Sequence, residues 1–331
     1  MEDVARMAGV SPKSVSRVIN AEPHVSAKLR ARVEAAIAEL NYVPDRAARS
    51  LASARSFIIG LLFDNPSPNY TMKVQAGVYR ACVEHQYHMR IDTIDSTAGS
   101  SALETQLDAI MRNSRTDGFI LTPPLTDNPA VLDYLDKAGV NYSRIAPFID
   151  HERTPGVVID DAAAAALVAE TLWKLGHRRF GLVNGPEEHG AAGSRRDGFL
   201  RALAARDASC SVTEAAGHFT FEGGIEAGRA LLKSPQRPTA IFATNDDSAA
   251  GVMAVCSQAG LVVPSDVSVF GFDDSWIAKS VWPYLTTIHQ PIEEMAFVAA
   301  RMLLDSKGQD GPQLKVLDFS LVERDSIAPP P

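Results

Sequence analysis

Cysteines are scarce in this 331-residue sequence, and long apolar runs are missing from it. Cys82, Cys210 and Cys256 lie far apart without the spacing of metal ligands, which predicts reduced thiols in or near the core. The only close histidine pair, His85 and His88, has no pattern of cysteines or carboxylates beside it, so we expect no metal site. No stretch reaches the roughly 20 apolar residues that span a bilayer, and no signal-peptide pattern is present. These absences predict a cytoplasmic protein that does not enter a membrane.

The phosphate-binding and nucleophile motifs of common enzymes are absent as well. The chain has no G-x-x-x-x-G-K-[S/T] loop, no G-x-G-x-x-G after a predicted strand and no G-x-S-x-G elbow. Three pairs of adjacent aspartates occur, namely Asp160-Asp161, Asp246-Asp247 and Asp273-Asp274. Because neighbouring side chains diverge from the backbone, none of these pairs is expected to act on one substrate. We therefore predict neither catalysis nor a cofactor.

The first 44 residues carry the signals of short helices. Val4 and Ala5 begin an apolar pattern at helical spacing that stops at Gly9, which tolerates the positive φ of a tight turn. Ser11 then occupies a helix N-cap position, and Pro12 occupies the first helical position, where its missing N–H costs nothing. Two short helices joined by a glycine-containing turn predict a helix-turn-helix.

The second of these helices has an apolar face and a polar face. Val15, Val18 and Ile19 line the apolar face. Lys13 and Arg17, four residues apart, share a different face and are expected to point to solvent. Basic side chains at this place can donate hydrogen bonds to the base edges of DNA.

A third helix is expected from an N-cap at Ser26 to about Leu40. Its apolar stripe comprises Leu29, Val33, Ala36, Ile37 and Leu40. Three such helices around a thin core are typical of a DNA-reading head, although an all-helical cap that binds nothing would show the same pattern. The polar residues that gather on the exposed side favour DNA binding; they are Ser11, Lys13, Ser14, Ser16, Arg17 and Asn20.

Charge is divided unevenly along the chain. Residues 1–55 contain nine Lys/Arg and six Asp/Glu, a net charge of +3, and the whole chain carries −8, so the remainder carries −11. An acidic body is repelled by phosphate, so contact with DNA should be confined to the basic head.

The segments DVARMAGVSPKSVSRVIN, VSAKLRARVEAAIAELNYVP and RAARSLA resemble the lactose-repressor (LacI/GalR) family of bacterial transcription regulators. Later segments extend the resemblance over essentially the whole chain. The family usually carries a few residues before the position of Glu2, so either the start is short or the first helix begins uncapped. The resemblance implies a repressor that reads a near-palindromic double-stranded DNA operator as a homodimer. Lys13 and Arg17 are expected at base edges, and Ser11, Ser14, Ser16 and Asn20 mostly at phosphates. Pro12 is also expected among the DNA-binding residues.

Residues 45–56 form the next segment, which is alanine-rich and contains several arginines. It can become helical but is too short to be a stable helix alone. In the family this segment is a hinge helix whose leucine enters the minor groove, and Leu51 occupies that place, with Ala48 one turn earlier. The alternative is a flexible tether between head and body.

From Phe57 onward, apolar runs such as SFIIGLLF alternate with amphipathic helices. This alternation predicts an α/β body of two Rossmann-like, doubly wound parallel sheets, arranged as in periplasmic binding proteins. The helices are expected at about Met72–His85, Ser101–Asn113, Asn128–Ala138, Ala162–Leu175, Ser194–Arg206, Gly223–Ser234, Ser248–Ala259 and Ile292–Ser306. The resemblance implies three crossings between lobes, near residues 158, 288 and 317. The body, residues 57–331, then has an N-lobe of residues 57–158 and 289–317 and a C-lobe of residues 159–288 and 318–331.

A small ligand is expected between the lobes, at the carboxyl ends of the strands. The resemblance assigns effector binding to Arg195, Phe219, Asn245, Asp273 and Gln290, with Asp64, Tyr70 and Phe148 near pocket positions. Thr122 also follows a strand, and Trp276 could form an apolar floor for a pyranose ring. As alternatives, each strand-end carboxylate could cap the following helix, and Trp276 could be a core or dimer-contact residue. The predicted ligand is a sugar or sugar derivative.

The final residues, SIAPPP, contain no leucine heptads, so we expect a dimer rather than a tetramer. The expected contacts involve the helices Met72–His85 and Ser248–Ala259 and the loop Val281–Tyr284. A periplasmic sugar-binding protein would share the two-lobed body, but it would have no use for the head.

Overall fold

The structure is a computed structural model that describes residues 1–19, 25–42, 55–113, 115–206, 208–305 and 313–331. It divides into two compact units, Met1–Phe57 and Ile58–Pro331. The second unit therefore begins one residue after the predicted start of the body. Much of the predicted hinge segment, including Ala48 and Leu51, lies outside the described residues.

The head contains α1 (Glu2–Ala8), α2 (Pro12–Ile19) and α3 (Ala27–Glu39). Gly9 ends α1 with φ of 60°, as the turn requires. Ser11 accepts a hydrogen bond from the Ser14 amide at 3.2 Å, which confirms the predicted cap of α2. Ser26 caps α3 in the same way, at 3.3 Å from the Leu29 amide. No side-chain hydrogen bond caps the start of α1 in the described head.

The core of the head consists of small side chains: Val4, Ala5, Ala8, Val15, Val18, Val33 and Ala36. Leu40, predicted to belong to the apolar stripe, is instead exposed, because α3 ends at Glu39 and Leu40 is its C-cap. Arg32 reaches back from α3 and donates to the Gly9 carbonyl at 3.1 Å and to the Ala8 carbonyl. This guanidinium holds the C-terminal end of α1 against α3.

Within the described residues, the body contains two six-stranded sheets. The first is built from β1 (Ile58–Phe63), β2 (His88–Thr93), β3 (Gly118–Leu121), β4 (Tyr142–Ile145), β5 (Gly156–Val158) and β11 (Leu314–Val316). The second is built from β6 (Arg179–Asn184), β7 (Ser211–Ala216), β8 (Ala240–Ala243), β9 (Ser268–Phe272), β10 (Thr286–His289) and β12 (Ser320–Val322). The strand orders are β11-β5-β4-β3-β1-β2 and β12-β10-β9-β8-β6-β7. The predicted α/β fold class is confirmed.

One edge strand departs from the predicted parallel arrangement, because β12 pairs antiparallel with β10. The chain passes from β11 in the first sheet to β12 in the second through residues 317–319 alone. The chain also changes sheets between β5 and β6 and between β10 and β11.

The helices of the body are α4 (Pro68–Glu84), α5 (Ser100–Asn113), α6 (Pro129–Lys137), α7 (Asp161–Lys174), α8 (Gly190–Arg206), α9 (Phe221–Leu232), α10 (Asp246–Gln258) and α11 (Ile292–Leu304). Helix α4 begins four residues before the predicted Met72, because Ser67 caps it and Pro68 occupies its first turn. Helix α8 also begins four residues early, at Gly190, where buried Ala192 outweighs the low helix propensity of glycine.

Helix α10 is almost entirely buried within one chain, from Asp246 to Cys256. Most of this helix is covered by α9 and the second sheet, and the exposed part of the predicted dimer contact Ser248–Ala259 is Ser257, Gln258 and Ala259. The contact itself stays a prediction. The three cysteines, all within the described ranges, form no disulfide; Cys82 and Cys256 are buried and Cys210 is half-buried. None of the helices in the described ranges is long and apolar enough to cross a membrane.

Candidate functional site

A cleft of about 400 Å³ lies between the two sheets of the body. Most of its lining residues come shortly after the carboxyl end of a parallel strand, where ligands bind in open α/β sheets. The lining comprises Asn65, Ser67, Tyr70, Pro123, Ala146, His189, Ala191, Arg195, Phe219, Asn245, Asp273 and Gln290. Of the ten residues predicted to bind effector, six therefore meet in one cleft: Tyr70, Arg195, Phe219, Asn245, Asp273 and Gln290.

The cleft has a first wall, formed by residues that follow strands of the first sheet, and a second wall, formed by residues that follow strands of the second sheet. Arg195 is held in the second wall by an extensive set of contacts. Its Nε donates to Asp161 at 2.7 Å, its Nη1 to the Thr244 carbonyl at 2.8 Å and its Nη2 to Gln290 at 2.9 Å. The guanidinium carbon lies 3.7 Å from the centre of the Phe272 ring, a stacking geometry that suits arginine. The orientation of this buried cation is thus set by the protein before any ligand arrives.

Asp273 is the principal carboxylate of the cleft. Its Oδ1 has no hydrogen-bond partner among the described residues and lies 3.8 Å from Nη1 of Arg195. Burial raises the pKa of Asp273 to about 7, although the charges of Arg195 and Lys73 oppose this shift. Its backbone φ of 105° is also strained for a residue with a side chain. A buried, strained and unsatisfied acceptor is typical of a functional position.

Asp246, the neighbour of Asn245, lies behind Asp273 and is fully engaged. Its two oxygens accept from the Thr287 hydroxyl at 2.7 Å and from the Ser275 amide at 2.7 Å. Burial and the charge of Asp273 raise the pKa of Asp246 to about 8, so its neutral form predominates near pH 7. Asp246 therefore supports the strand ends rather than the ligand.

Tyr70 brings a phenol from the first wall. Its hydroxyl has no hydrogen-bond partner in the described part of the chain, and burial raises its pKa above the ordinary range. On the second wall, His189 packs edge-to-face on Phe219 with ring centres 5.4 Å apart. Burial lowers the pKa of His189 to about 4, so this imidazole is neutral near pH 7.

Asn245 lines the cleft and also caps the helix that follows its strand, the role given above as an alternative for strand-end carboxylates. Its Oδ1 accepts from the Ser248 amide at 3.0 Å and caps α10. Its Nδ2 donates to the Phe219 carbonyl at 3.0 Å, which holds Phe219 in a conformation with φ of 57°. The aromatic wall of the cleft is therefore fixed by Asn245.

The two walls are joined by a polar clasp, formed by Ser67 and Asn69 of the first wall and Asp247 of the second. The Ser67 hydroxyl donates to one Asp247 oxygen at 2.5 Å, and the Asn69 amide donates to the other. Beside the clasp, Lys73 donates to the backbone carbonyls of Asp273 at 2.8 Å and of Asp274 at 2.9 Å. These bonds cross from α4 to the strand ends of the second sheet and hold the cleft closed.

Four predicted effector residues are not among those that line the cleft. Asp64 instead accepts from the Ser96 amide at 2.7 Å, and Thr122 is buried with its hydroxyl donating to the Leu62 carbonyl. Phe148 lines a neighbouring cavity. Trp276 is 60% exposed at the start of a short 3-10 turn, so it forms neither a floor for the ligand nor part of the core. Sequence position at a strand end did not reveal which way these side chains point.

His189 and Asp161 are the most informative residues that the sequence prediction missed. His189 lies in the loop after β6, where the rule of strand ends could have identified it. The adjacent carboxylates do diverge as expected, because Asp160 caps α7 through the Ala163 amide while Asp161 accepts from Arg195. Only the folded structure shows that Asp161 faces the cleft cation.

In the head, the predicted DNA-contacting residues fall into two groups. Ser11, Pro12 and Lys13 are exposed at the start of α2. Ser14, Ser16 and Arg17 are half-buried along the same helix, so Arg17 is less exposed than expected. Asn20, the remaining predicted contact, lies outside the described residues.

Comparison with known proteins gives consistent matches over both units. Residues 1–45 match the bacterial regulatory proteins of the lacI family, and residues 169–327 match a periplasmic binding protein-like domain. The ribose operon repressor of Escherichia coli (strain K12) is 34% identical over 334 residues, which cover 98% of this chain and 99% of the repressor. The complex of the transcriptional regulator CelR with cellobiose is similar with a TM-score of 0.73 and 30% identity over 98% of both chains. The lac repressor dimer bound to operator and the anti-inducer ONPF has a TM-score of 0.77 and 28% identity, also over 98% of both chains.

These similarities extend over the head and the body together. A two-lobed body alone would also fit a periplasmic sugar-binding protein, but the match at residues 1–45 is to a DNA-binding family. Regulatory relatives over the full length also confirm the prediction that the chain is not an enzyme. The chain belongs to the lacI family of bacterial regulatory proteins.

Proposed function

We propose that this protein is a cytoplasmic transcriptional repressor that binds a near-palindromic operator as a homodimer, under the control of a small sugar or sugar derivative. The observation that carries the proposal is the buried cleft, whose walls present Asp273 Oδ1 and Tyr70 Oη without partners in the described residues. A buried polar atom without a partner costs free energy, and a ligand hydroxyl would recover it. Such a cleft suits a polyhydroxylated ligand.

The neighbouring groups fit the same kind of ligand. Phe219 and the neutral His189 form an apolar surface beside the polar strand ends, as the C–H face of a sugar ring requires. The ribose operon repressor and the cellobiose-bound CelR are relatives whose names refer to sugars. We therefore favour a carbohydrate over an apolar effector.

DNA recognition is assigned to α2 of the head. Lys13 and Arg17 are proposed to reach base edges in the major groove, and the serines around them to contact phosphates. The net charge of +3 on residues 1–55, against −11 on the remainder, favours approach of the head to DNA. Ala48 and Leu51 remain proposed hinge residues, with Leu51 entering the minor groove.

Dimerisation is assigned to an exposed apolar surface of the body. Met72, Tyr79 and Val83 are exposed along α4, and Trp282 and Tyr284 are exposed in the loop before β10. Large exposed aromatic and aliphatic groups of this kind usually mark an interface. Effector binding would then act on DNA by changing the angle between the two sheets in each subunit, and with it the spacing of the two hinge segments.

The proposal is tested by gel retardation with the full chain and a duplex selected from a randomised pool. We expect sequence-selective retardation that weakens between about 50 mM and about 200 mM salt, because phosphate contacts release counterions. At least one of D-ribose, D-glucose and cellobiose should change the retardation and raise the melting temperature, since a ligand at about 100 times its dissociation constant adds about 2.7 kcal/mol of stability. Retardation without sequence preference would contradict the assigned regulatory role.

A matched pair of variants tests the head. Arg17→Ala should lose about 1–3 kcal/mol of discrimination between the selected duplex and random DNA. Lys28→Ala removes the same charge from the exposed surface of α3 and should lower the affinity for both duplexes alike. Equal behaviour of the two variants would mean that Arg17 contacts only the phosphate backbone.

A further inference from the structure

Arg195 is the only cation among the described residues that line the cleft. Its contacts indicate whether the cleft favours a charged or an uncharged ligand. All three guanidinium nitrogens already donate to protein acceptors, and the shortest of these bonds, 2.7 Å, is to the carboxylate of Asp161. The side chains of Arg195 and Asp161 are 5% and 11% exposed, so solvent screens this pair weakly. The positive charge of the cleft is therefore neutralised inside the protein.

The other described residues that line the cleft bring no further positive charge. Asp273 adds a second carboxylate, with Oδ1 3.8 Å from the same guanidinium. Lys73 is not among the residues that line the cleft, and its ammonium donates to the backbone carbonyls of Asp273 and Asp274. His189 is neutral near pH 7, as its lowered pKa indicates. An incoming anion would thus meet the Asp273 carboxylate in a lining whose one cation is already paired with Asp161.

An uncharged polyol meets complementary groups in the same place. A hydroxyl can donate to Asp273 Oδ1, and another can pair with Tyr70 Oη. Arg195 has five N–H donors, of which three are used, so two remain for hydroxyl oxygens. These bonds satisfy both partners without placing a net charge in the cleft.

We propose that this cleft, given its proposed role as the effector site, selects uncharged sugars over sugar phosphates and sugar acids, and that Asp161 determines this selection. Asp161 acts through Arg195 and is a specificity-determining residue that need not touch the ligand. Replacing its carboxylate with an amide keeps an acceptor for Arg195 Nε but releases the positive charge toward the cleft.

The experiment uses the full chain and probes of defined charge. Thermal shift and calorimetric titration are recorded with inorganic phosphate, with D-ribose and D-ribose 5-phosphate, and with D-glucose and D-glucose 6-phosphate. The wild type is compared with Asp161→Asn and with Asp160→Asn, which removes the adjacent, exposed carboxylate while retaining a side chain that can cap α7. Chloride at matched ionic strength serves as the blank.

We expect inorganic phosphate to leave the wild type and Asp160→Asn unchanged and to raise the melting temperature of Asp161→Asn. This gain should disappear in the Asp161→Asn, Arg195→Gln double variant. Any sugar that binds the wild type should bind at least about tenfold more tightly than its phosphate ester, a difference of about 1.4 kcal/mol.

Three results would overturn the inference. Phosphate that stabilises the wild type but not Arg195→Gln would show that the arginine is available to anions. No phosphate response in a folded Asp161→Asn protein would remove Asp161 from its assigned role. A sugar phosphate that binds the wild type as tightly as the parent sugar would contradict the charge selection while leaving the proposed effector site intact. Failure of every sugar would instead count against a carbohydrate effector, and the phosphate results would still decide the charge question.

Discussion

The two walls of the cleft differ in the polar groups that they offer to a ligand. The first wall contributes Asn65, Ser67 and Tyr70, which are neutral, whereas the second contributes Arg195 and Asp273, which can carry charge. Charged groups cost far more to bury than hydroxyls and amides, so they need a rigid set of partners. Arg195 has such a set in the second wall, whereas Tyr70 Oη has none in the described residues.

This difference indicates a division of labour between the walls. The second wall is preorganised, because the positions of Arg195 and Asn245 are set by bonds to neighbouring strand ends. The first wall closes over it through the clasp of Ser67 and Asn69 with Asp247. We therefore expect substitutions in the second wall to change ligand affinity most. Substitutions in the first wall should change the population of the closed cleft or lower ligand affinity by a smaller factor.

The largest effect is expected for Asp273→Ala, which removes the carboxylate of the second wall whose Oδ1 has no hydrogen-bond partner in the described residues. Loss of an acceptor for ligand hydroxyls should lower affinity at least about tenfold, since about 1.4 kcal/mol corresponds to a factor of ten. Operator affinity without ligand should be unchanged. Isothermal titration measures the first quantity and gel retardation the second.

Asp274→Ala is the matched control, because Asp274 pairs with Arg324 and His289 rather than lining the cleft. It should lower stability while leaving ligand affinity close to that of the wild type. If both variants lose affinity alike, the backbone of this segment, and not the Asp273 carboxylate, supports binding.

The next effect concerns the clasp between the walls. Asp247→Ala should lower ligand affinity by about three- to tenfold, because the closed form is then less populated before binding. Ser67→Ala should act in the same direction, and the double variant should lose less than the sum of the two single variants. Additive losses in a double-mutant cycle would mean that Asp247 and Ser67 act independently.

The third effect is a dependence on pH, which has opposite directions for the stability of the fold and for ligand affinity. The raised pKa values of Asp273, about 7, and Asp246, about 8, mean that the folded protein binds protons more tightly than the unfolded chain does. Their contribution to stability is present at low pH and is lost as the pH rises through about 7 and 8. Denaturant titrations should show that Asp246→Asn loses less stability than the wild type between about pH 5 and about pH 8.

Ligand affinity should change in the other direction, because only the ionised form of Asp273 accepts hydrogen bonds with both oxygens. We expect affinity to fall by about three- to fivefold between about pH 7 and about pH 6, within the limit of tenfold per unit for one linked proton. An affinity that is constant over this range would contradict the assignment of Asp273 as the titrating acceptor.

The smallest effect is expected for Tyr70→Phe in the first wall. It removes a neutral hydroxyl that has no hydrogen-bond partner in the described protein, so ligand affinity should fall by about two- to threefold, or about 0.5 kcal/mol, the lower end of the net value of one hydrogen bond. Stability without ligand should stay the same or rise. A loss as large as that of Asp273→Ala would remove the distinction between the two walls.

Local signals in the sequence determined the helices of the head and the alternation of the body. Gly9, Ser11 and Pro12 specify a turn and a cap through their own backbone and side-chain chemistry, and the structure has both where they were predicted. Apolar runs such as residues 58–63 predicted buried parallel strands, because both faces of such a strand are covered. Because the carboxyl ends of parallel strands share an edge of the sheet, the sequence also predicted that Asn245 and Asp273 lie at one site, and both line the cleft.

Only the tertiary structure decided which strand-end residues face the cleft and what they contact there. Asp64 and Asp273 both follow strands, yet Asp64 binds a neighbouring backbone amide while Asp273 Oδ1 is left without a partner in the described chain. Asp161 lies 34 positions before Arg195, and Asp247 lies 180 positions after Ser67. Interactions over such separations depend on how the two sheets pack, and spacing along one chain carries no information about that packing. The charge balance of the cleft follows from these long-range contacts.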